Sequence, residues 1–183
     1  MTQPPIRRTR ERLVHENAYV RVYDDDVAFA DGLPGRYVRI EPAGDGPGAV
    51  LLALHEGRIA LVRTYRYPVG AWQWALPRGF AHATDPLVTA RAELREETGV
   101  TDADLRVIGS VTPDSGVQAH RVAIVLADVR ALPEDGPTDG GEVAEVLWVT
   151  PAELEQEIAE GAIEDGFTLA ALTLARAKGI AIG

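Results

Sequence analysis

Asp85-Pro86-Leu87-Val88-Thr89-Ala90-Arg91-Ala92-Glu93-Leu94-Arg95-Glu96-Glu97-Thr98-Gly99-Val100 reads as a helix with both ends written into it. Asp85 suits the N-cap, Pro86 the first helical position and Gly99 the left-handed residue that stops the helix. Leu87, Ala90 and Leu94 recur at i, i+3 and i+7 and define one apolar stripe. Glu93 and Glu97 sit one turn apart, roughly 50–90° from the centre of that stripe, so they are boundary residues turned half inward. Glu96 lies farther round. Two like charges at this spacing repel by roughly a few tenths of a kcal/mol on an exposed helix, and partial burial worsens the conflict. A divalent cation removes it, since Mg²⁺ favours a few carboxylates together with water and phosphate oxygens. Glu93, Glu96 and Glu97 are therefore expected to hold metal, with Glu96 the auxiliary ligand.

The segment before the helix, Trp74-Ala75-Leu76-Pro77-Arg78-Gly79-Phe80, places a glycine-containing loop at its entrance. Such a loop offers backbone N–H groups and a positive dipole end to an anion. Residues 64–84 as a whole read as irregular and rich in aromatics, Pro and Gly. Within them Arg66 can chelate a phosphate or serve as a surface ion pair, and Tyr65, Tyr67, Trp72 and Trp74 can stack on a purine or, as alternating aromatics, belong to the core.

Strand patterns flank this unit. Tyr19–Tyr23 and Arg36–Ile40 alternate or carry β-branched and aromatic residues, with Asp24-Asp25-Asp26 expected at a solvated strand end. Ala49–Leu54 and Ile59–Arg63 form a hairpin around His55-Glu56-Gly57-Arg58, and the first of the two is apolar throughout, as a strand covered on both faces should be. Further strands are expected near 105–111, 120–128 and 144–149. Two C-terminal helices follow, the first opening on the capping box Thr150-Pro151-Ala152-Glu153. The order implies an α+β fold with a mixed sheet and helices packed against it.

Composition narrows the function. The 183 residues carry a net charge of -10, which disfavours a nucleic-acid-binding surface. With no cysteine, disulfides, thiolate metal sites and cysteine nucleophiles are excluded. Lys178 is the one lysine, so a side-chain cation that holds phosphate elsewhere must be arginine. No apolar run is long enough to span a membrane, and the polar, Arg-rich start lacks the apolar core of a secretory signal, so a cytoplasmic location is expected.

The loop and helix together resemble the Nudix box, G-x5-E-x7-R-E-U-x-E-E-x-G-U with U apolar. Glu93-Leu94-Arg95-Glu96-Glu97-Thr98-Gly99-Val100 fits its second half at every fixed position, and Gly79 is the box glycine. Ala92 stands where the box has Arg, the stretch from Gly79 to Glu93 is one residue short, and Thr84 or Asp85 stands where the early Glu belongs. Arg63-Thr64-Tyr65-Arg66-Tyr67 and the Trp74–Gly79 run are similar to the ADP-ribose pyrophosphatase branch of the Nudix hydrolases, with Thr64 and Ala75 in place of that branch's Gln and Glu.

The resemblance implies an α/β/α sandwich with a mixed central sheet and an N-terminal antiparallel strand extension. The polar, Arg-rich residues 1–12 read as a flexible arm whose Arg7, Arg8, Arg10 and Arg12 can be solvated or touch an acidic partner. The resemblance makes 13–47 a strand extension and 48–183 the hydrolase domain. It implies Mg²⁺ or Mn²⁺ on Glu93, Glu97 and Glu96 with the Arg78 carbonyl, Gly79 beside the substrate, and a homodimer in which the strand extension helps to build the partner's site. Glu142, in Thr138-Asp139-Gly140-Gly141-Glu142-Val143, matches the mobile loop that carries the general base, with Glu145 and His120 as rivals. The implied reaction hydrolyses ADP-ribose to AMP and ribose 5-phosphate. Another nucleotide sugar, such as a GDP-hexose, is the alternative substrate, and a weakly catalytic nucleotide-sugar sensor is the alternative function that Ala92 keeps open.

Overall fold

A computed structural model of the chain describes residues 4–133 and 141–182, and its contacts divide the chain into two compact units. Unit one comprises residues up to 45 together with 112–120, and unit two comprises 46–111 together with 121 onward.

Unit one is an antiparallel sheet of β1 (Ile6–Arg10), β2 (Leu13–Glu16), β3 (Val20–Phe29) and β4 (Pro34–Pro42). β3 is its spine: β4 pairs along one edge, while β1 and β2 take successive halves of the other. Two expectations are corrected here. Ile6–Arg10, assigned to a mobile arm, is a strand in register with β3 from Ile6 opposite Phe29, because the ten-residue β3 offers unpaired backbone groups along that edge. Asp24–Asp26 lie within β3 rather than at a solvated end, and Asp25 is buried. Burial opposes ionisation of Asp25, but the Arg12 backbone N–H and the Arg39 guanidinium outweigh it and hold its pKa below the ordinary value.

Unit two is a seven-stranded mixed sheet: β5 (Ala49–His55), β6 (Arg58–Arg66), β7 (Ala71–Ala75), β8 (Arg78–Gly79), β9 (Ala103–Val111), β10 (Val122–Val129) and β11 (Val143–Val149). Its main order is β11-β6-β5-β10-β9; β5 and β10 run parallel and the other neighbours antiparallel. The β5–β6 turn uses Glu56 at φ 47° and Gly57 at φ 75°, the two left-handed residues that a two-residue hairpin needs. Residues 64–84 hold more regular structure than their composition suggests. β6 extends to Arg66 and returns as β7, with Tyr65 opposite Trp72.

β5 is apolar from Ala49 to Leu54 because both its faces are covered. Val50 and Leu52 join Leu61, Ile124 and Leu126 under helices α2 (Pro151–Ala159) and α3 (Gly166–Ala177), which contribute Leu154, Ala171 and Leu172. Ala49, Leu51 and Ala53 join Ala60, Ala123 and Ala127 under helix α1 (Pro86–Thr98), which contributes Ala90 and Leu94. The α1 face is lined largely by alanine, so α1 can approach the sheet closely. The ends of α1 are as expected: Asp85 accepts from Leu87 N at 2.9 Å, and Gly99 at φ 77° donates to Arg95 O. No helix among the described residues is long and apolar enough to cross a membrane.

Candidate active site

α1 places Glu93 and Glu97 one turn apart on its inward flank, where they are 8% and 9% exposed, while Glu96 is half-buried. β8 and the loop after it pass over this flank. A Cβ on Gly79 would fall inside the Glu93 carboxylate, so only glycine lets the chain run this close. The Arg78 backbone N–H donates to Glu97 Oε2 at 2.8 Å. Burial pushes the Glu97 carboxyl up to about 7; the Arg78 N–H opposes this shift and the Glu93 charge adds to it. Burial likewise raises Glu93, against a hydrogen bond from His82. A pair of desolvated carboxylates beside a backbone cradle is a donor set that fits a hard divalent cation.

His82 was not legible as a site residue. It sits in the loop after β8, its Nε2 lies 2.8 Å from Glu93 Oε1, and its backbone N–H donates to Thr89 Oγ1 on α1. One ligand atom each from His82, Glu93 and Glu96 lies within 4.8 Å of the others. The available signal was the shortened stretch between Gly79 and Glu93, which carries a potential ligand of its own.

Arg66, at the end of β6, faces the same region. Burial lowers its pKa, the nearby Arg78 lowers it further, and Glu97, Asp165 and Glu142 act in the opposite sense. Its Nε and Nη2 are buried and have no hydrogen-bond partner among the described residues, and neither has Arg78 Nε. The two arginines line a cleft of about 530 Å³ with Gln73, Glu164, Asp165 and Gly166. Asp165 is a second residue that sequence reasoning missed. Its Oδ2 pairs with Arg78 Nη2 at 3.1 Å, and its Oδ1 caps α3 through Thr168 N and Oγ1. Thr168 Oγ1 in turn accepts from Leu76 N, so the start of α3 and the approach to β8 are tied together.

The remaining candidates separate. Glu142 is exposed just before β11, yet its charge acts on both Glu93 and Arg66, whereas Thr138, Asp139 and Gly140 of its loop lie outside the described residues. Glu145 is exposed and lies 4.0 Å from Arg63. His120 belongs to unit one, where burial lowers its pKa. Tyr65 follows the strand alternation to the face opposite Arg66, edge-to-face with Trp72 at 5.5 Å. Tyr67 is 86% exposed in the turn after β6, and Trp74 packs against the core under α2 and α3. The structure thus brings Glu93, Glu96, Glu97, Arg78, Gly79 and Arg66 together but leaves the three aromatics outside that cluster.

A three-layer sandwich that sets buried helical glutamates beside a glycine cradle and an arginine, Arg66, whose buried Nε and Nη2 have no partner among the described residues fits a class, the hydrolases of phosphate anhydrides. Comparison with known proteins makes the class specific. The model of the NUDIX domain matches residues 44–170. A CMP-5'-(N-acetyl-N-hydroxy-3-aminopropyl)phosphonate hydrolase from Streptomyces rubellomurinus is 30% identical over 156 residues, which cover 82% of this chain and 72% of that protein. An ADP-ribose pyrophosphatase from Bacillus subtilis is 30% identical over 133 residues, 72% of this chain and 71% of the relative. The solved structure of an ADP compounds hydrolase superposes with a TM-score of 0.82 over the full length of both chains at 16% identity, a likeness of fold. The chain belongs to the Nudix family and is a pyrophosphohydrolase of it.

Proposed function

We propose that the protein hydrolyses the diphosphate of a nucleoside diphosphate linked to a sugar, with ADP-ribose the leading substrate and AMP and ribose 5-phosphate the products. The observation that carries this reading is the Glu93–Glu97 pair with Arg66 near enough for its charge to act on Glu97, and with the Arg66 Nε and Nη2 lacking a partner among the described residues. Glu93, Glu97 and Glu96, with the Arg78 carbonyl, would hold Mg²⁺ or Mn²⁺, which supplies charge neutralisation of the diphosphate and acidifies water.

The chain's own groups do the rest. Arg66 offers two donors to one phosphate, and burial strengthens that contact relative to water. Glu142 takes a proton from the attacking water; the water oxygen bonds to one phosphorus, the P–O–P bond breaks, and the leaving phosphate departs with the bridging oxygen. Asp165 pairs with Arg78 Nη2 at 3.1 Å, and the two line the cleft beside Arg66. A homodimer through residues 13–47 also fits the exposed Leu13, Val14, Tyr37 and Val38 of the N-terminal sheet. Light scattering coupled to size exclusion tests that part.

The substrate is tested by giving the purified protein Mg²⁺ with ADP-ribose, GDP-mannose and other nucleoside-diphosphate sugars and separating the products. ADP-ribose should be turned over fastest. A GDP-sugar cleaved well above ADP-ribose would overturn the substrate assignment. Binding without turnover of any member would favour the sensor. A CMP-linked phosphonate belongs in the same panel, because a relative named for that substrate is as similar as the ADP-ribose enzyme.

A further inference from the structure

We propose that His82 is a nitrogen ligand of the metal held by Glu93 and Glu96, and that it tilts the site toward Mn²⁺ over Mg²⁺. The inference rests on the metal reading above and goes beyond it, since nothing in the box pattern supplies a nitrogen.

The geometry suits a shared ion. His82 Nε2 and Glu93 Oε1 are 2.8 Å apart. An ion bonded at about 2.1 Å in octahedral geometry spaces adjacent ligand atoms by about 3 Å and opposite ones by about 4.2 Å. The His82–Glu93 spacing is already close to the first value, and a ligand atom of Glu96 lies within 4.8 Å of both, near the second value. The ring is also held in place. The bond from His82 N to the fully buried Thr89 hydroxyl pins the loop to the first turns of α1, one turn before Glu93. At the same time the His82 side chain is 43% exposed, so an entering ion can take the place of the hydrogen bond without the loop unfolding.

Chemistry then sets the preference. Mg²⁺ demands oxygen ligands and keeps its waters, whereas imidazole suits first-row transition metals and raises their affinity over Mg²⁺. Ala92 removes the guanidinium of the box pattern from this flank, and Glu93 takes His82 as its hydrogen-bond partner.

Electron spin-echo spectroscopy of the full-length protein loaded with Mn²⁺, paired with calorimetric titrations of Mn²⁺ and Mg²⁺, tests this. The wild type should show modulation from a directly bonded nitrogen, and His82→Ala should lack it. His82→Ala should weaken Mn²⁺ about tenfold or more, and Mg²⁺ by no more than about twofold. Bound Mn²⁺ without nitrogen modulation, at a site that Glu97→Gln abolishes, would overturn the inference and leave the metal reading standing. Equal weakening of both metals by His82→Ala would reduce His82 to a residue that orients Glu93. Absence of Mn²⁺ and Mg²⁺ binding in the wild type would overturn both readings.

Discussion

Glu97→Gln should make the metal-free protein more stable at alkaline pH while destroying its response to metal. Burial holds the Glu97 carboxyl at about 7 against an ordinary 4.5. A carboxyl with a raised folded pKa binds its proton more tightly in the folded chain, so its stabilising contribution is complete below about pH 4.5 and is lost as pH rises through about 7. At about 1.4 kcal/mol per pH unit, that gap amounts to about 3 kcal/mol near pH 8. Glutamine keeps the acceptor for Arg78 N–H, can donate to Glu93, and carries no charge to desolvate. In the presence of a chelator, the variant should therefore melt roughly 6–12 °C above wild type near pH 8, an upper estimate. Most of the difference should vanish below about pH 5. Added Mg²⁺ should raise the melting temperature of the wild type and leave the variant unmoved. The assay is thermal unfolding followed by tryptophan fluorescence across pH, with and without metal. A variant less stable than wild type near pH 8, or a gain that does not depend on pH, would refute the claim that an ionised, desolvated Glu97 strains the metal-free fold.

Gly79→Ala should lower turnover by about 10²-fold and weaken metal binding, because the new Cβ displaces the Glu93 carboxylate; steady-state kinetics and Mn²⁺ titration check this. Arg66→Ala should reduce kcat/KM by about 30-fold, the equivalent of about 2 kcal/mol for a charge-assisted contact. Asp165→Ala removes the α3 cap and the Arg78 partner together. It should lower the melting temperature by roughly 2–4 °C, as loss of about 1 kcal/mol implies, and raise KM more than a cap deletion alone would.

Legibility in the sequence followed the range of the interactions. The whole of α1, its caps and its inward glutamates were readable because helix periodicity, capping and the boundary position of Glu93 and Glu97 are local properties. So were the β5–β6 hairpin and the capping box of α2. β1 and the central placement of Asp25 were not, since both depend on partners at a distance: the edge of β3 in one case, Arg39 and the Arg12 backbone in the other. His82 and Asp165 failed for the same reason. The shortened stretch after Gly79 marks the loop but does not single out His82 within it, and Asp165 lies 87 positions from the arginine it holds. The aromatics show the converse. Tyr65 and Arg66 are neighbours in sequence and were grouped on that ground, yet strand alternation sends them to opposite faces.

The alanine lining under α1 links the core to the site. Ala49 stands opposite Gly79 in the β5–β8 pairing and belongs to the cluster beneath Ala90 and Leu94. It therefore helps to set how deeply the helix seats, and with it the depth at which Glu93 meets the glycine. Ala127 lies on the same face, equally buried, toward the other end of the parallel β5–β10 pair. Ala49→Val and Ala127→Val should each cost about 1–3 kcal/mol through overpacking. Only Ala49→Val should also weaken metal binding, because the strain is relieved by lifting β8 or α1 where the carboxylate is cradled. Equal loss of metal affinity in both variants would mean that α1 moves as a rigid rod over the whole face. The cradle would then be set by the helix alone, not by the β5–β8 pairing beside it.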